Sequence, residues 1–344
     1  MAVPQGGQNP PQDAVMTPPF EAYLEALRQQ AGIPGLSAAL VQDGQLIWER
    51  GFGFQNLEAR IHATPDTPYP VADLSQTLAA VLLLQCVEYR RFDLDDQARQ
   101  YGVTLPEPTA TLRHLVSHTS EGTPGATFTY NPERYSHLTN AVEWCAPQPY
   151  RKTVAHRILD RLAMIDSVPG RDLRDRTVVP EGLFEPAALD RYAAVLDRMA
   201  VPYRVDKRRR AARSELPQPP EGINAATGLV ASARDLAQFD AALDSVLLLE
   251  DTRAAAWRNA AGGGELGFNP AGLGWFVQTY QGQPVVWHFG LVPNAYSSLM
   301  IKLPAKRLTL ILLANSDGLT APYELHQGDV TRSVFAIVFL RLLG

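Results

Sequence analysis

The chain has 344 residues, of which 46% are apolar, and its formal net charge is −5 at pH 7. This length and apolar content can fill a sizeable core, so we expect a globular protein. A mildly acidic chain has no global basic field, which argues against nucleic acid or an anionic membrane as a partner. No run approaches the roughly 20 consecutive apolar residues that a membrane-spanning helix needs.

The N-terminal segment 1–19 is polar and rich in Gln and Pro, which is typical of a disordered leader. We expect the folded domain to occupy residues 20–344. No apolar segment of a signal peptide is visible between Met1 and Met16. The sequence therefore predicts a cytoplasmic protein, unless a leader for export was removed from it.

Strand patterns lie near both ends of the chain. A helix predicted over Phe20 to Gln30 precedes two strands that flank Asp43-Gly44, the strongest hairpin signal in the sequence. Alternating or β-branched runs return in the last quarter of the chain. The predicted strands are Leu36–Gln42, Gln45–Gly51, Leu273–Tyr280, Gln283–His288, Ala295–Lys302 and Arg307–Ala314.

The middle of the chain is predicted to be helical. Leu74 to Arg91 is apolar nearly throughout and long enough for a buried helix. An apolar helix, Val330 to Leu343, closes the chain. Strands at both ends with helices between them predict an α+β fold, with a central antiparallel sheet of about five strands flanked by helices. A helical subdomain, about 98–248, is inserted into it.

Only two cysteines are present, Cys86 and Cys145. They are too few for a disulfide framework and lack the spacing of metal ligands. Cys86 lies in an apolar run, so we expect a buried, inert thiol there. A single bridge between the two cysteines stays an alternative.

Several segments carry motifs that occur together in one protein superfamily. They are the ungapped run Pro68–Asp96, Thr111-Leu-Arg-His-Leu-Val-Ser-His-Thr-Ser120, Gly125-Ala-Thr-Phe-Thr-Tyr130 with Tyr135, Asn224-Ala-Ala-Thr-Gly-Leu-Val-Ala-Ser-Ala-Arg-Asp-Leu-Ala-Gln-Phe239 and His288-Phe-Gly290. In this order they resemble the serine β-lactamase and penicillin-binding protein superfamily, most closely its branch of class C β-lactamases, D,D-peptidases and esterases. The resemblance runs from about Phe20 to the C-terminus and implies that fold and a bacterial serine-hydrolase ancestry.

In that superfamily the nucleophile is the Ser of a Ser-x-x-Lys motif at a helix N-terminus, and the Lys one turn later helps to deprotonate it. Counting back from Phe92-Asp-Leu-Asp-Asp96 without a gap puts the nucleophile position at Asp73 and the lysine position at Gln76. Ser75 lies two residues late, which rotates it by about 200° around the helix. We expect its hydroxyl to face away, so the resemblance implies the loss of both reactive groups.

Asp73 has two interpretations. Aspartate is a good N-cap, and its charge is favoured near a helix start, so a structural role suffices. The alternative is a carboxylate nucleophile, but the sequence supplies no partners for glycosidase or phosphatase chemistry. Either way, we expect a fixed anion here to repel substrates that carry a carboxylate.

The second motif is kept in part. Tyr130 matches the superfamily's tyrosine, a general base or proton relay, and Pro132 stands where an Asn would hold a substrate amide. With Gln76 in the lysine position, this motif has no cation to lower the pKa of Tyr130. We expect a neutral phenol that packs rather than reacts.

At the third motif, His288 and Gly290 are kept and Phe289 replaces the usual Thr or Ser. The resemblance implies an oxyanion hole built from the backbone N–H groups of Leu291 and Asp73. Phe289 removes a hydroxyl that would bind a carboxylate and adds a ring, so an apolar or plugged pocket is expected. His288 either keeps a ligand-binding role or packs.

Two further features have structural explanations. His114 and His118 are spaced i, i+4, but no Glu accompanies the first and no third zinc ligand is evident. We therefore expect no metal and no cofactor. The basic run Lys207–Arg210, with Arg204 and Arg213, is expected to be a solvated loop, and an anionic partner is the alternative.

Two functions are therefore in competition. The first is a binding or regulatory pseudoenzyme with an unknown small ligand or protein partner in the old cleft. The second is an esterase, peptidase or β-lactamase of weak or altered activity that uses Tyr130, His288 and the oxyanion hole. Loss of both nucleophile and lysine favours the first, because parts of a catalytic unit are not independently replaceable. The resemblance also implies a periplasmic or extracellular location if a leader was removed.

Overall fold

A computed structural model describes residues 13–216, 222–260 and 269–344, with side chains from residue 18 onward. Its first helix, α1, spans Asp13–Ala31. The predicted leader is therefore too long at its C-terminal end, because helix already covers residues 13–19. The rest of that prediction, residues 1–12, lies outside the described residues.

The described residues form twelve strands and ten α-helices. The strands are β1 (Gly35–Gln42), β2 (Gln45–Asn56), β3 (Ile61–His62), β4 (Tyr69–Pro70), β5 (Val168–Pro169), β6 (Tyr203–Val205), β7 (Ala211–Arg213), β8 (Leu229–Ala231), β9 (Phe276–Tyr280), β10 (Gln283–Val292), β11 (Tyr296–Leu303) and β12 (Leu308–Ala314). The helices after α1 are α2 (Ser75–Glu88), α3 (Leu112–Val116), α4 (Pro132–Ser136), α5 (Leu138–Cys145), α6 (Tyr150–Val154), α7 (Pro186–Asp197), α8 (Ala233–Leu243), α9 (Glu250–Ala256) and α10 (Val334–Leu342).

Within these ranges, seven strands form one antiparallel sheet in the order β3-β2-β1-β12-β11-β10-β9. Strands from the two chain ends meet where β1 pairs with β12, for example at Ala39 and Ile311. This confirms the predicted α+β fold, although the sheet is larger than the predicted five strands. The hairpin at Asp43-Gly44 is also confirmed: both residues have positive φ, the conformation that a tight hairpin turn requires.

The sheet is covered on both faces. Because side chains alternate along a strand, Ala39 of β1 belongs to the core that includes α2 and α8, while its neighbour Leu40 belongs to the core with α1 and α10. The second core also buries Phe20 of α1 and Phe339 of α10 completely. Each such side chain stabilises the fold by roughly 1.5–3 kcal/mol relative to exposure.

The helical region between β3 and β9 is interrupted by short strands. β4, β8 and β5 form a small sheet, and β6 pairs with β7. The predicted insertion, about 98–248, stays a prediction, and residues 217–221 within it lie outside the described residues. Helix α8 falls inside that range but contacts β1 and β12 of the main sheet.

Cys86 of α2 and Cys145 of α5 form a disulfide. The expectation of a free, inert thiol at Cys86 is therefore wrong, and the alternative is the correct one. Cys86 is buried, as expected. The run that surrounds it gave no sign of its partner, because the two positions are 59 residues apart and meet only when α5 packs on α2.

Candidate active site

Asp73, which the register predicts at the nucleophile position, lies in a 3-10 turn, Ala72–Leu74, that runs directly into α2. The N-cap of α2 is Leu74, whose side chain makes no capping hydrogen bond. The expectation that Asp73 is the N-cap is therefore wrong by one residue, and Asp73 lies in the first turn of the 3-10 segment before the helix. Ala72 has φ +50°, a conformation that is costly for a residue with a Cβ, and it turns the chain into the site.

The hydroxyl of Ser75 is committed to the backbone. It donates to the carbonyl of Ala72 at 2.7 Å and accepts the backbone N–H of Leu229 at 3.3 Å. The side chain is 2% exposed. Ser75 therefore joins the start of α2 to β8, in agreement with the expectation from the helix register.

Gln76, in the lysine position, is completely buried and contacts three aromatic residues. Its Nε2 donates to the Tyr130 hydroxyl at 3.2 Å, and its Oε1 lies 3.1 Å from Nε2 of His118. The hydroxyl of Tyr135 donates to the main-chain carbonyl of Gln76 at 3.0 Å. These contacts hold the amide in one orientation in the centre of the site.

The tautomer of His118 follows from its two contacts. Its Nδ1 accepts the backbone N–H of Asn131 at 3.2 Å, so the ring proton is on Nε2 and is donated to Gln76. Burial, and then the nearby His288, lower the pKa of His118 to about 3. A row of neutral hydrogen bonds thus runs from Asn131 through His118 and Gln76 to Tyr130.

Tyr130 packs among aromatic rings. Its ring centroid lies 4.6 Å from that of His118 and 5.4 Å from that of Phe289. Burial and the negative charge of Asp73 raise the pKa of the Tyr130 phenol well above its usual value, and the hydrogen bond from Gln76 opposes them. The phenol is therefore neutral at pH 7, as expected.

His288 and Phe289 are both buried in β10. Nδ1 of His288 is occupied by the backbone of Phe289, whose N–H lies 2.9 Å away, and burial lowers the pKa of His288 to about 4. The Phe289 ring lies 5.8 Å from Phe276 as well as against Tyr130. The Phe289 ring therefore packs against the Tyr130 ring.

Gly290 brings β10 against the 3-10 turn. A Cβ at this position would lie 2.0 Å from the Val71 carbonyl, so only glycine fits. Ser298 of β11 donates to the same carbonyl at 2.8 Å. The next residue, Leu291, pairs with Ser297. The backbones of Asp73 and Leu291 are thus held on adjoining elements, although the oxyanion hole itself stays a prediction.

Pro132 has a structural role. It is the first residue of α4, where its missing N–H costs no hydrogen bond, and Asn131 before it caps the helix by accepting the Arg134 N–H at 3.0 Å. Asn131 Nδ2 donates to Glu121 at 2.6 Å. Asn131 is therefore committed to the helix cap and does not supply the amide that Pro132 lacks.

The structure brings together most of the residues that the sequence singled out. Gln76 donates to Tyr130, the charge of Asp73 acts on the Tyr130 phenol, His288 acts on His118, and the Phe289 ring packs against Tyr130. In the described chain, the hydrogen-bond partners of the Gln76 side chain are His118 and Tyr130, and neither carries a positive charge. Around the Gln76 side chain, the described hydrogen-bond partners are therefore neutral groups rather than an ammonium that would activate a hydroxyl.

The motifs include His118 and Tyr135, but sequence reasoning did not predict that either residue contacts Gln76. Their rings stack with centroids 5.1 Å apart, and both hold Gln76. His118 was assigned only a structural role, because its spacing to His114 was tested for zinc. His114 does have such a role: its Nδ1 accepts the Thr111 N–H in a capping box. No group of three or more potential metal ligands occurs in the part of the chain that the structure describes.

The sequence model of the Beta-lactamase family matches residues 20–328. The chain belongs to the β-lactamase family. This match covers most of the chain and agrees with the superfamily resemblance of its motifs. Among the helices of the described ranges, none is both long and apolar enough to cross a membrane.

Curated relatives of this β-lactamase-family chain are similar over a limited stretch. It is 30% identical over 104 residues to the human "Serine beta-lactamase-like protein LACTB, mitochondrial", which is 28% of this chain and 19% of that protein. It is 23% identical over 107 residues to "Protein flp" of Staphylococcus aureus strain MRSA252, which is 29% of this chain and 21% of that protein. The chain thus aligns with about a fifth of the length of these relatives.

Solved structures of the family share the fold over nearly the whole chain. The octameric penicillin-binding protein homologue from Pyrococcus abyssi has a TM-score of 0.74 at 20% identity and covers 94% of this chain and 77% of its own. The D-amino acid amidase from Ochrobactrum anthropi SV3 has a TM-score of 0.71 at 18% identity and covers 96% of this chain and 98% of its own. At these identities the likeness concerns the fold alone.

Proposed function

We propose that this β-lactamase-family protein has lost the Ser-x-x-Lys acyl-transfer chemistry and serves as a binding or regulatory protein. The observation that carries the proposal is the buried amide of Gln76, held between His118 and Tyr130. A lysine in this position would supply an ammonium that lowers the pKa of its neighbours and takes up a proton. An amide does neither.

Two further features support the proposal. Asp73 puts a negative charge where a nucleophilic hydroxyl is needed, and that charge raises the pKa of Tyr130 instead of lowering it. Phe289 covers Tyr130, so a carboxylate-bearing substrate meets both an anion and a ring. Each feature opposes acyl transfer independently of Gln76.

The alternative is a hydrolase of weak or altered activity. It is favoured by the row of hydrogen bonds through His118, Gln76 and Tyr130, which could move a proton, and by the two backbones held near Asp73. It lacks a nucleophile that is activated at pH 7, because both His118 and the phenol are neutral. We therefore rank it second.

The partner class follows from the charge and the disulfide. The acidic chain gives no reason to expect nucleic acid, so a small ligand or a protein at or beside the old cleft is proposed. The disulfide Cys86–Cys145 favours an oxidising compartment over the cytoplasm, since such bonds persist mainly in exported proteins. No cofactor is part of the proposal.

Covalent labelling tests the proposal directly. The unmodified protein, an Asp73→Ser/Gln76→Lys variant and a fourfold variant that adds Pro132→Asn and Phe289→Thr are incubated with a fluorescent penicillin, a chromogenic cephalosporin and p-nitrophenyl esters. We expect no adduct and no turnover with the unmodified protein. Because Phe289 covers Tyr130, we expect the fourfold variant to react more than the double variant.

Asp73→Asn and Tyr130→Phe are the controls. If the unmodified protein turns over a substrate and either substitution abolishes that turnover, the proposal is overturned and the hydrolase is established. Turnover that survives both substitutions comes from outside this site and leaves the proposal standing.

A further inference from the structure

A cavity of about 750 Å³ lies between α7, the β6–β7 hairpin and a 3-10 turn, Arg171–Arg174. Its volume is within the range that small-molecule sites occupy. It is separate from the residues around Gln76. The residues of its wall used below are Arg171, Arg174, Arg213, Leu196, Met199 and Leu216.

Three guanidinium groups converge on this cavity. Arg174 is paired with Asp197 at 2.6 Å on the exposed side. Among the described residues, no carboxylate lies within ion-pair distance of Arg171 or Arg213, although Arg213 is near enough to Glu58 to help lower the pKa of that carboxyl. Burial raises the pKa of the Tyr296 phenol, and the positive charges of Arg171 and Arg213 both lower it. Glu215 is the one carboxylate in the described wall, so the cavity is net positive.

Both arginines are held by rigid neighbours. Asp172, which follows Arg171, is paired with Arg151 at 2.5 Å, and Leu173 is completely buried. The turn is therefore anchored by its middle residues and presents Arg171 and Arg174 to the cavity. Arg213 pairs across the hairpin with Tyr203, whose ring is completely buried and whose hydroxyl accepts the Leu57 N–H at 2.7 Å.

Apart from Ser214 and Glu215, the rest of the described wall is apolar. Leu196 and Met199 lie on one side. Arg171 and Leu216 are shared with a smaller depression whose wall includes Ala72 and Val292. Arg171 therefore stands where the cavity meets this depression, beside the apolar side chains of Leu216 and Val292. The cavity thus offers guanidinium groups and apolar surface to the same ligand.

We propose that this cavity binds an amphipathic monoanion, with its carboxylate or sulfonate between Arg171 and Arg213 and its apolar body along Leu216 toward Ala72. Unpaired guanidinium groups bind such oxyanions through two parallel hydrogen bonds. This gives Arg213 a role apart from Lys207–Arg210, which form the exposed turn of the hairpin, as expected for a solvated loop. This proposal names a ligand class for the binding role given under Proposed function. Its biological significance rests on that role, whereas binding in the cavity does not.

A matched pair of fluorescent probes tests this proposal: 1-anilinonaphthalene-8-sulfonate, and N-phenyl-1-naphthylamine, which has the same rings and no charge. We expect the sulfonate to bind with one-to-one stoichiometry and the uncharged probe at least tenfold more weakly. Decanoate should displace the sulfonate and decanol should not. Arg171→Gln/Arg213→Gln should weaken sulfonate binding at least tenfold, while Arg204→Gln/Arg208→Gln, with the same charge change on exposed residues of the hairpin, should leave it unchanged.

Equal binding by the two double variants, equal affinity for the two probes, or no binding of the sulfonate would each overturn the proposal. Circular dichroism checks that the variants fold. If Arg171→Gln/Arg213→Gln does not fold, the single Arg213→Gln variant decides, with an expected loss of at least threefold. The covalent-labelling experiment under Proposed function is separate from these binding measurements. A cavity that binds no sulfonate is therefore distinguishable from a site that still carries out acyl transfer.

Discussion

At the scale of single residues, the site depends on where protons lie. His118 and His288 are buried and neutral, although an exposed histidine takes up a proton near pH 6.5. Neither ring has an acid beside it among its described hydrogen-bond partners. Both histidines therefore resist protonation for the same reason, which is burial.

This resistance has a defined effect on stability. The pKa of folded His288 is about 4. As pH falls below about 6.5, the unfolded chain takes up a proton that the folded chain does not, so the free energy of unfolding decreases. Between pH 6.5 and 5.0, His288 alone should remove about 2 kcal/mol. The contribution of His288 to the free energy of unfolding is therefore present above pH 6.5 and is lost as the pH falls toward 4.

Urea unfolding at the two pH values measures the effect. His288→Gln should lose about 2 kcal/mol less than the unmodified protein on acidification, and the exposed His326→Gln should behave as the unmodified protein. The comparison of variants is needed because Asp235 acts in the opposite direction: burial raises its pKa to about 7, so acidification relieves a buried charge. An unchanged pH dependence in His288→Gln would show that this histidine is accessible to protons.

At the scale of elements, α2 is held to α5 by the disulfide and to β8 by Ser75. Both contacts fix the helix that presents Gln76. A cross-link that closes a long loop stabilises mainly by restricting the unfolded chain.

We expect Cys86→Ala/Cys145→Ala to lower the free energy of unfolding by about 2–4 kcal/mol. Thermal and urea unfolding measure the loss. A reductant should lower the stability of the unmodified protein toward that of the variant and should not affect the variant. Equal stability of both proteins under oxidising conditions would contradict the expectation.

The elements also show which predictions a sequence supports. The hairpin at Asp43-Gly44 was predictable because its turn chemistry is local. Strand β10 was predicted to end at His288, yet it continues to Val292, since Gly290 interrupts a β pattern in sequence but fits a close approach to Val71. Helix α2 was predicted to start at Leu74 and starts at Ser75, after a 3-10 turn that contacts β10, which is distant in sequence.

At the scale of the whole molecule, the helical layer and the sheet are joined by a buried charge cluster. Lys302 of β11 is 1% exposed and donates to Asp240 at 2.9 Å, to Asp244 at 2.8 Å and to Thr309 at 3.1 Å. Burial raises the pKa of Asp240, and Lys302 is the main opposing influence. Asp240 Oδ2 has no hydrogen-bond partner among the described residues, so the Lys302 ammonium on Oδ1 is the main compensation for this buried carboxylate.

Lys302→Met should therefore destabilise the protein by about 3–5 kcal/mol, because it leaves the Asp240 carboxylate buried without a cation. Lys306→Met, a surface change, should stay within about 0.5 kcal/mol of the unmodified protein. Adding Asp240→Asn to Lys302→Met should restore part of the loss. Urea unfolding of the four proteins tests this, and a Lys302→Met protein as stable as Lys306→Met would contradict it.

The family and the fold could be predicted from the order of motifs along the chain, and the positions of Asp73, Gln76 and Phe289 from an ungapped register. The partners of Gln76 could not, because His118 and Tyr135 come from other elements and meet it only in three dimensions. The cavity at Arg171 and Arg213 was equally hidden, since its two arginines are distant in sequence and differ in their local patterns.

The disulfide has one more consequence. It closes a covalent ring over positions 86 to 145, and this ring contains His118, Tyr130 and Tyr135. If a protease cuts the chain at one point inside the ring, both new ends remain attached to the molecule. The candidate active site of this protein can therefore be nicked without release of a fragment until the bridge is reduced.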